Sequence, residues 1–364
     1  MLVRLSTLAF AASIFSTQQA LVAGLSPADI PSDTPVSALL ETAASHLSKG
    51  ETNDALAYYD AAIARDPSNY LTFFKRATTY LSLGRTSQAT EDFNKVLSLK
   101  PSFEGAHVQL GKIKARSADW DGAQKHYKKA HKDGEIASLL EAKGAATLAE
   151  KAAAEGNWEQ CVEQAGAAIQ VANRAVHLRE LRARCHFERG DAEMGMGDLQ
   201  HVLQMKPGDT RPHVVISAVT FYALGDLQAG MAAIRKCLHS DPDSKVCKKL
   251  LKQEKAVEKT WGKVNKALDK GQSMTAVRQL VPTADDEGLI KEVKDQVEAL
   301  RADETIPKAV GNVLVARLVD MACQAYYEVR RPPDLPCESS QKTDIDTRKN
   351  SQTAKRRPNT ARRP

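Results

Sequence analysis

Apolar and small residues recur at helical spacing along most of this chain, in paired runs separated by glycine and closed by proline. Leu40, Ala43 and Leu47 form one such run. After Gly50 a second run carries Ala55 and Tyr59, and Pro67 closes the pair. The next stretch repeats the order with Ala77, Gly84, Ala89, Phe93 and Pro101. Spacing of three and four residues argues for amphipathic helices. Glycine after a helical run suits a left-handed helix end, and proline cannot continue a helix. The small residues let two helices approach closely, and the aromatic fills the gap behind them. No sustained alternation of the strand type appears.

Asp66-Pro67 and Lys100-Pro101 put two prolines 34 residues apart. That is the period of the tetratricopeptide repeat (TPR), a helix–turn–helix unit that stacks into a superhelical solenoid. Counted from Val36 and Tyr70, position 8 is Ala43 and Ala77, position 20 is Ala55 and Ala89, and position 24 is Tyr59 and Phe93. A third repeat from Glu104 carries Gly111, Trp120, Ala123, Tyr127 and Ala130. A fourth shows Ala149, Gly156, Cys161 and Ala168; a fifth, Ala183, Gly190, Gly195 and Pro207; a sixth, Ala218, Gly225, Gly230 and Pro242. The seventh is weaker, with Gly271 and Ala276 after a long first helix over 244–270, and an eighth first helix is expected over 307–329. Residues 132–149 interrupt the spacing and read as a long joining helix. The expected fold is an all-α TPR superhelical solenoid of about seven to eight units.

The expected organisation is a signal peptide over 1–23, a sub-array of repeats one to three over 36–137, and further sub-arrays over 138–337. The last of these eight repeats is incomplete, and a disordered basic tail covers 338–364. Arg4, the short apolar run 5–15 and a small residue at Ala23 or Gly24 make a secretory signal. A mitochondrial leader is the competing reading. Nothing after that run approaches transmembrane length.

Composition supports helices packed through small residues, with 42% hydrophobic but only 5% aromatic residues. The formal net charge of +6 sits mainly in the tail, which holds eight Lys or Arg against three Asp or Glu from Glu338 onward. Residues 1–337 therefore carry only +1, and the folded part has no nucleic-acid footprint. Periodicity stops at Cys337, so the tail reads as an alternative or misread end. A nuclear signal in Lys355-Arg356-Arg357 is a competing reading.

No hydrolase, zinc-peptidase or dinucleotide-loop signature is present. Gly195-Met196-Gly197 follows a helix, and His126 and His131 do not share a helical face. No catalytic residue, metal or cofactor is expected. The six cysteines include no Cys-x-x-Cys. Cys237 and Cys247 flank a short helix–helix turn and are within disulfide reach, and Cys323 and Cys337 flank another. Free thiols are the alternative for both pairs. Cys161 and Cys185 occupy packing positions and read as small buried hydrophobes.

Helix-A positions 2, 5, 9, 12 and 13 of a TPR face its groove. Here they include Leu40 and Leu47, then Leu71, Phe74 and Leu81, then Val108. An apolar stripe that repeat packing does not need marks a site for apolar segments of other chains. Tight curling that buries the stripe as ordinary core is the alternative. TPR clamps for acidic tails use Lys and Asn at groove positions 5 and 9, where this chain has Leu40 and Ala44, then Phe74 and Thr78, so such a clamp is not expected.

Leu178-Arg179-Glu180-Leu181-Arg182-Ala183-Arg184-Cys185, Tyr222-Ala223-Leu224-Gly225-Asp226, Ile234-Arg235-Lys236-Cys237-Leu238, Cys247 and Lys252-Gln253 carry a resemblance over residues 36–337. The chain resembles the TPR and J-domain (DnaJ-type) co-chaperones of the endoplasmic reticulum. Cys323 and Cys337 match that family's second cysteine pair. The resemblance implies a holdase of the lumen, linked to the unfolded protein response, that captures unfolded or misfolded clients. It also implies a partnership with a lumenal Hsp70. A J domain needs a His-Pro-Asp loop, which this sequence does not hold, so stimulation of the Hsp70 is not expected from it. Neither nucleic acid nor membrane is expected as a partner. A scaffold joining specific folded partners remains the other reading.

Overall fold

The computed structural model describes residues 26–283 and 286–330. The signal segment 1–23, Cys337 and the basic tail lie outside them. Among the described residues there are sixteen α-helices and no strand. In chain order they are α1 (Val36–Ser48), α2 (Thr52–Arg65), α3 (Tyr70–Ser82), α4 (Thr86–Leu99), α5 (Glu104–Arg116), α6 (Trp120–Lys129), α7 (Asp133–Ala154) and α8 (Trp158–Val171). There follow α9 (Val176–Glu188), α10 (Ala192–Met205), α11 (Thr210–Ala218), α12 (Leu227–Ser240), α13 (Lys245–Asp269), α14 (Ser273–Leu280), α15 (Gly288–Ala302) and α16 (Val313–Arg330). The all-α TPR fold expected from the period is the fold observed. Repeats one to seven are the successive pairs from α1–α2 to α13–α14.

The glycines at position 15 make the A-to-B turns, with φ of 80° at Gly50 and 73° at Gly84. The third repeat has Ala118 there instead, held at φ 62°. Its turn therefore carries the steric cost of a Cβ in the left-handed region. Asn69, Asn157, Asp209, Asp226 and Ser244 cap helix starts by accepting a backbone N–H.

The contacts divide the chain into two bodies. The first holds residues up to Ile113 together with Lys125–Lys132. Ala43, Ala55, Ala77 and Ala89 are fully buried in it, with Tyr59 and Phe93 packed behind them. Gly111 is needed because a Cβ there would stand 2.6 Å from the Tyr127 ring.

The second body holds Lys114–Gln124 and the described residues from Asp133 to Arg330. The long joining helix is α7, which also serves as the first helix of repeat four. Helix α11 runs into a π-helical turn, Val219–Ala223, that returns to the repeat through Gly225. Helix α15 has no counterpart in the sequence reading, which ran from repeat seven to an eighth helix at 307. The structure starts that helix, α16, at Val313, after a non-helical segment whose Ile306 and Val310 are buried.

Cys161 on α8 and Cys185 on α9 form a disulfide with Cα atoms 6.1 Å apart. This corrects their reading as separate packing residues. Both are buried at the same crossing, where α8 meets α9, so one observation accounts for small size and pairing together. Cys237 on α12 and Cys247 on α13 form a second disulfide with Cα atoms 6.4 Å apart. Each joins helix B of one repeat to helix A of the next, and each contributes roughly 3 kcal/mol by loop closure. Cys323 lies on α16, and its expected partner Cys337 lies outside the described residues.

Candidate functional site

The six candidate groove residues all belong to the first body. Leu40 and Leu47 stand on α1, Leu71, Phe74 and Leu81 on α3, and Val108 on α5. Leu71 is the most open, with 42% of its surface exposed, and the other five are half-buried. Leu40 and Leu47 lean on the Ala43–Ala55–Tyr59 core. Phe74 has a divided role. Its ring lies 5.6 Å from Phe93 and meets Phe103 edge-on at 5.0 Å, so part of its area holds α3 against its neighbours.

Two aromatics escaped the sequence reading. Tyr70 packs edge-on against Phe103 at 5.1 Å, and the Lys100 ammonium sits 4.7 Å from the Tyr70 ring centre. Tyr70 begins repeat two, and Phe103 ends it. Aromatics at both ends of a 34-residue unit are the signal that points to them.

A buried ion network sets the position of α3. Arg76 donates Nε and Nη2 to the two carboxylate oxygens of Asp92 at 2.8 and 2.7 Å, and Nη1 to Asp60 at 2.7 Å. Burial opposes the charge of Arg76. The carboxylates of Asp92 and Asp60 outweigh it and hold the guanidinium pKa above its ordinary value. The guanidinium also lies over Phe73 and Tyr80. Arg76 thereby ties α3 to α2 and α4, which fixes the face that presents Leu71.

The second body presents a different chemistry. Its cavity of about 710 Å³ uses helix-A positions of repeats five and six, walled by the segment before α16. Arg184, Arg211 and Lys308 face it together with Glu150, Glu180 and Glu188. Charges of both signs lie there beside Leu181, Phe187, Val215 and Ile306. Among the described residues one group has the spacing of cation ligands: His46, Glu51 and Asp54. His46 Nδ1 and Glu51 Oε2 lie 2.7 Å apart and close the α1–α2 turn as a hydrogen-bonded pair.

Comparison with known proteins fits this architecture. The tetratricopeptide repeat model matches residues 40–103. The crystal structure of the P58(IPK) TPR domain superposes with a TM-score of 0.60, covering 88% of this chain and 99% of that one at 24% identity. The tetratricopeptide repeat and J domain-containing co-chaperone of Fusarium oxysporum is 60% identical over 327 residues, 89% of this chain. Over those residues the chain is similar to TPR and J domain-containing co-chaperones. Human DnaJ homolog subfamily C member 3 is 30% identical over 231 residues, 60% of this chain and 46% of its own length. The chain spans 62% of the length of its Fusarium relative. The Fusarium relative is named a co-chaperone. No described helix is long and apolar enough to cross a membrane.

Proposed function

We propose that this chain is a holdase of the endoplasmic reticulum lumen that captures unfolded or misfolded clients in the apolar groove of its first body. The observation that carries the reading is the stripe on α1, α3 and α5, with Leu71 open and its five companions half-buried. Such a surface takes apolar side chains without demanding a sequence, because burial is non-directional. The contacts are weak individually, and several together hold a segment. Similarity to J domain-containing co-chaperones supports the same reading, with a lumenal Hsp70 as the partner that receives the client. The secretory signal read in the sequence supports the lumen as its compartment.

Leu71→Asp tests the groove without cutting into the core. Burying one leucine is worth about 1.5–3 kcal/mol, so binding of a permanently unfolded, fluorescently labelled model client weakens about tenfold or more. Leu140→Asp on α7, at a site 48% exposed in the second body, leaves binding unchanged. Equal affinities for wild type and both variants would sink the groove assignment. A strong preference for one folded partner over unfolded chains would favour the scaffold.

The two disulfides fit an oxidising compartment. Protein recovered from the secretory pathway and alkylated under denaturing conditions should leave Cys161, Cys185, Cys237 and Cys247 unmodified until reductant is added. Intact mass before and after reduction reads this directly, and four alkylated thiols without reductant would contradict it.

A further inference from the structure

The interior of the second body holds a carboxyl group where repeat packing needs none. Glu254, midway along α13, is fully buried. Its Oε1 lies 2.7 Å from the Ser217 hydroxyl on α11, and that hydroxyl also lies 2.7 Å from the Gly230 carbonyl on α12. The other carboxyl oxygen, Oε2, is buried and has no hydrogen-bond partner.

A proton count decides the state of this cluster. A hydroxyl has one proton to donate. The Gly230 carbonyl can only accept, so Ser217 donates to it. The short contact between Ser217 and Glu254 then needs a proton from the carboxyl side. A carboxylate there would face the Ser217 lone pairs and leave a charged oxygen buried without a partner, which is costly. A neutral acid satisfies both contacts and leaves only a carbonyl-type oxygen bare.

We propose that Glu254 is a proton-binding switch: the native second body holds it as a neutral acid donating to Ser217, and loss of that proton loosens the junction of α11, α12 and α13. Burial opposes the charged form most strongly, and Arg235 on α12 favours it. Burial outweighs that attraction and pushes the carboxyl up to about 7. Tyr222, in the π-helical turn, donates its hydroxyl to Gln296 on α15 at 2.7 Å and so offers Glu254 no proton. Glu292 on α15 is itself shifted upward, by burial first. On α13 the nearest carboxylate along the helix, Glu258, accepts from Gln228.

The sign follows from linkage. The folded-state value lies above the ordinary value of 4.5. The stabilisation is therefore fully present below about 4.5 and is lost as pH rises through about 7. Acidification tightens the junction, and neutral or alkaline conditions relax it.

Glu254→Gln keeps the shape and supplies a permanent donor. Denaturant unfolding of the full chain, wild type against Glu254→Gln, isolates the group because every other titration is shared. From pH 5 to pH 7 the folding equilibrium constant of wild type should fall by roughly 40-fold relative to the variant. Parallel pH curves would overturn the proposal. If the variant fails to fold, wild type labelled with ¹³C at the glutamate carboxyls gives the answer. One carboxyl should remain protonated at pH 6 and titrate near 7, whereas glutamates all ionised at pH 6 would refute it.

Discussion

Asp92→Ala should destabilise the first body by about 3 kcal/mol, because it strands a buried guanidinium. Arg76 is 19% exposed and Asp92 only 7%. Removing Asp92 deletes both bonds of its bidentate pair and leaves Arg76 with Asp60 alone. Breaking a buried pair from one side costs about 3–5 kcal/mol. The residual exposure of Arg76 places this case at the lower end. Replacing both partners together, Arg76→Met with Asp92→Leu, should cost much less than the single change, since the only charge left alone is Asp60, which is 39% exposed. Hydrogen exchange on α3 and α4 measures both variants within the intact chain. A loss below 1 kcal/mol for Asp92→Ala would show that the network contributes little. The second body repeats the device sixteen residues apart again, with Arg182 bonded through Nε and Nη2 to Asp198 at 2.7 Å each. Asp198→Ala should behave alike.

Gly230→Ala should cost about 3 kcal/mol through backbone separation. A Cβ at Gly230 would lie 2.6 Å from the Phe221 Cβ, 2.9 Å from its Cα and 3.0 Å from its nitrogen. Two of these are main-chain atoms, which no rotamer change can move aside. Helix α12 and the π-helical turn must part, and overpacking of this kind costs typically 1–3 kcal/mol, at times more. Gly197→Ala on α10 is the matched control. Nothing lies within 4 Å of its Cβ position, so alanine there should stabilise by up to about 1 kcal/mol. Thermal unfolding of the two variants should move in opposite directions. A neutral Gly230→Ala would mean that the close approach is not needed.

These two cases also mark how far the sequence reading reached. Gly230 was legible as the small residue of position 20, because the 34-residue register assigns it without any knowledge of its neighbour. What it touches was not legible. The π-helical turn brings Phe221 backbone against it, and nothing in the 3.6-residue pattern announces that turn. Arg76 and Asp92 were not read as partners at all. On their own helices each is a charged residue, and only the crossing of α3 over α4 turns sixteen residues of separation into a bidentate bond.

The groove divides in the same way. Leu71, Phe74 and Leu81 could be placed on one face of α3 by counting. That Leu71 stays open while Phe74 spends part of its ring on Phe93 and Phe103 depends on neighbouring helices. Cys237 and Cys247, ten residues apart across one turn, were readable as a pair. Cys161 and Cys185 are separated by 24 residues, and each looked complete as a small core residue.

By itself the sequence determined the repeat, its turns, its close-packed positions and the candidate apolar face, all of which are periodic and set within one helical hairpin. Only the tertiary structure decided the Arg76–Asp92 bond, the Cys161–Cys185 bridge, helix α15 and the buried cluster of Glu254, Ser217 and Gly230. Each depends on the angle and register at which one helix meets another, which local spacing does not encode.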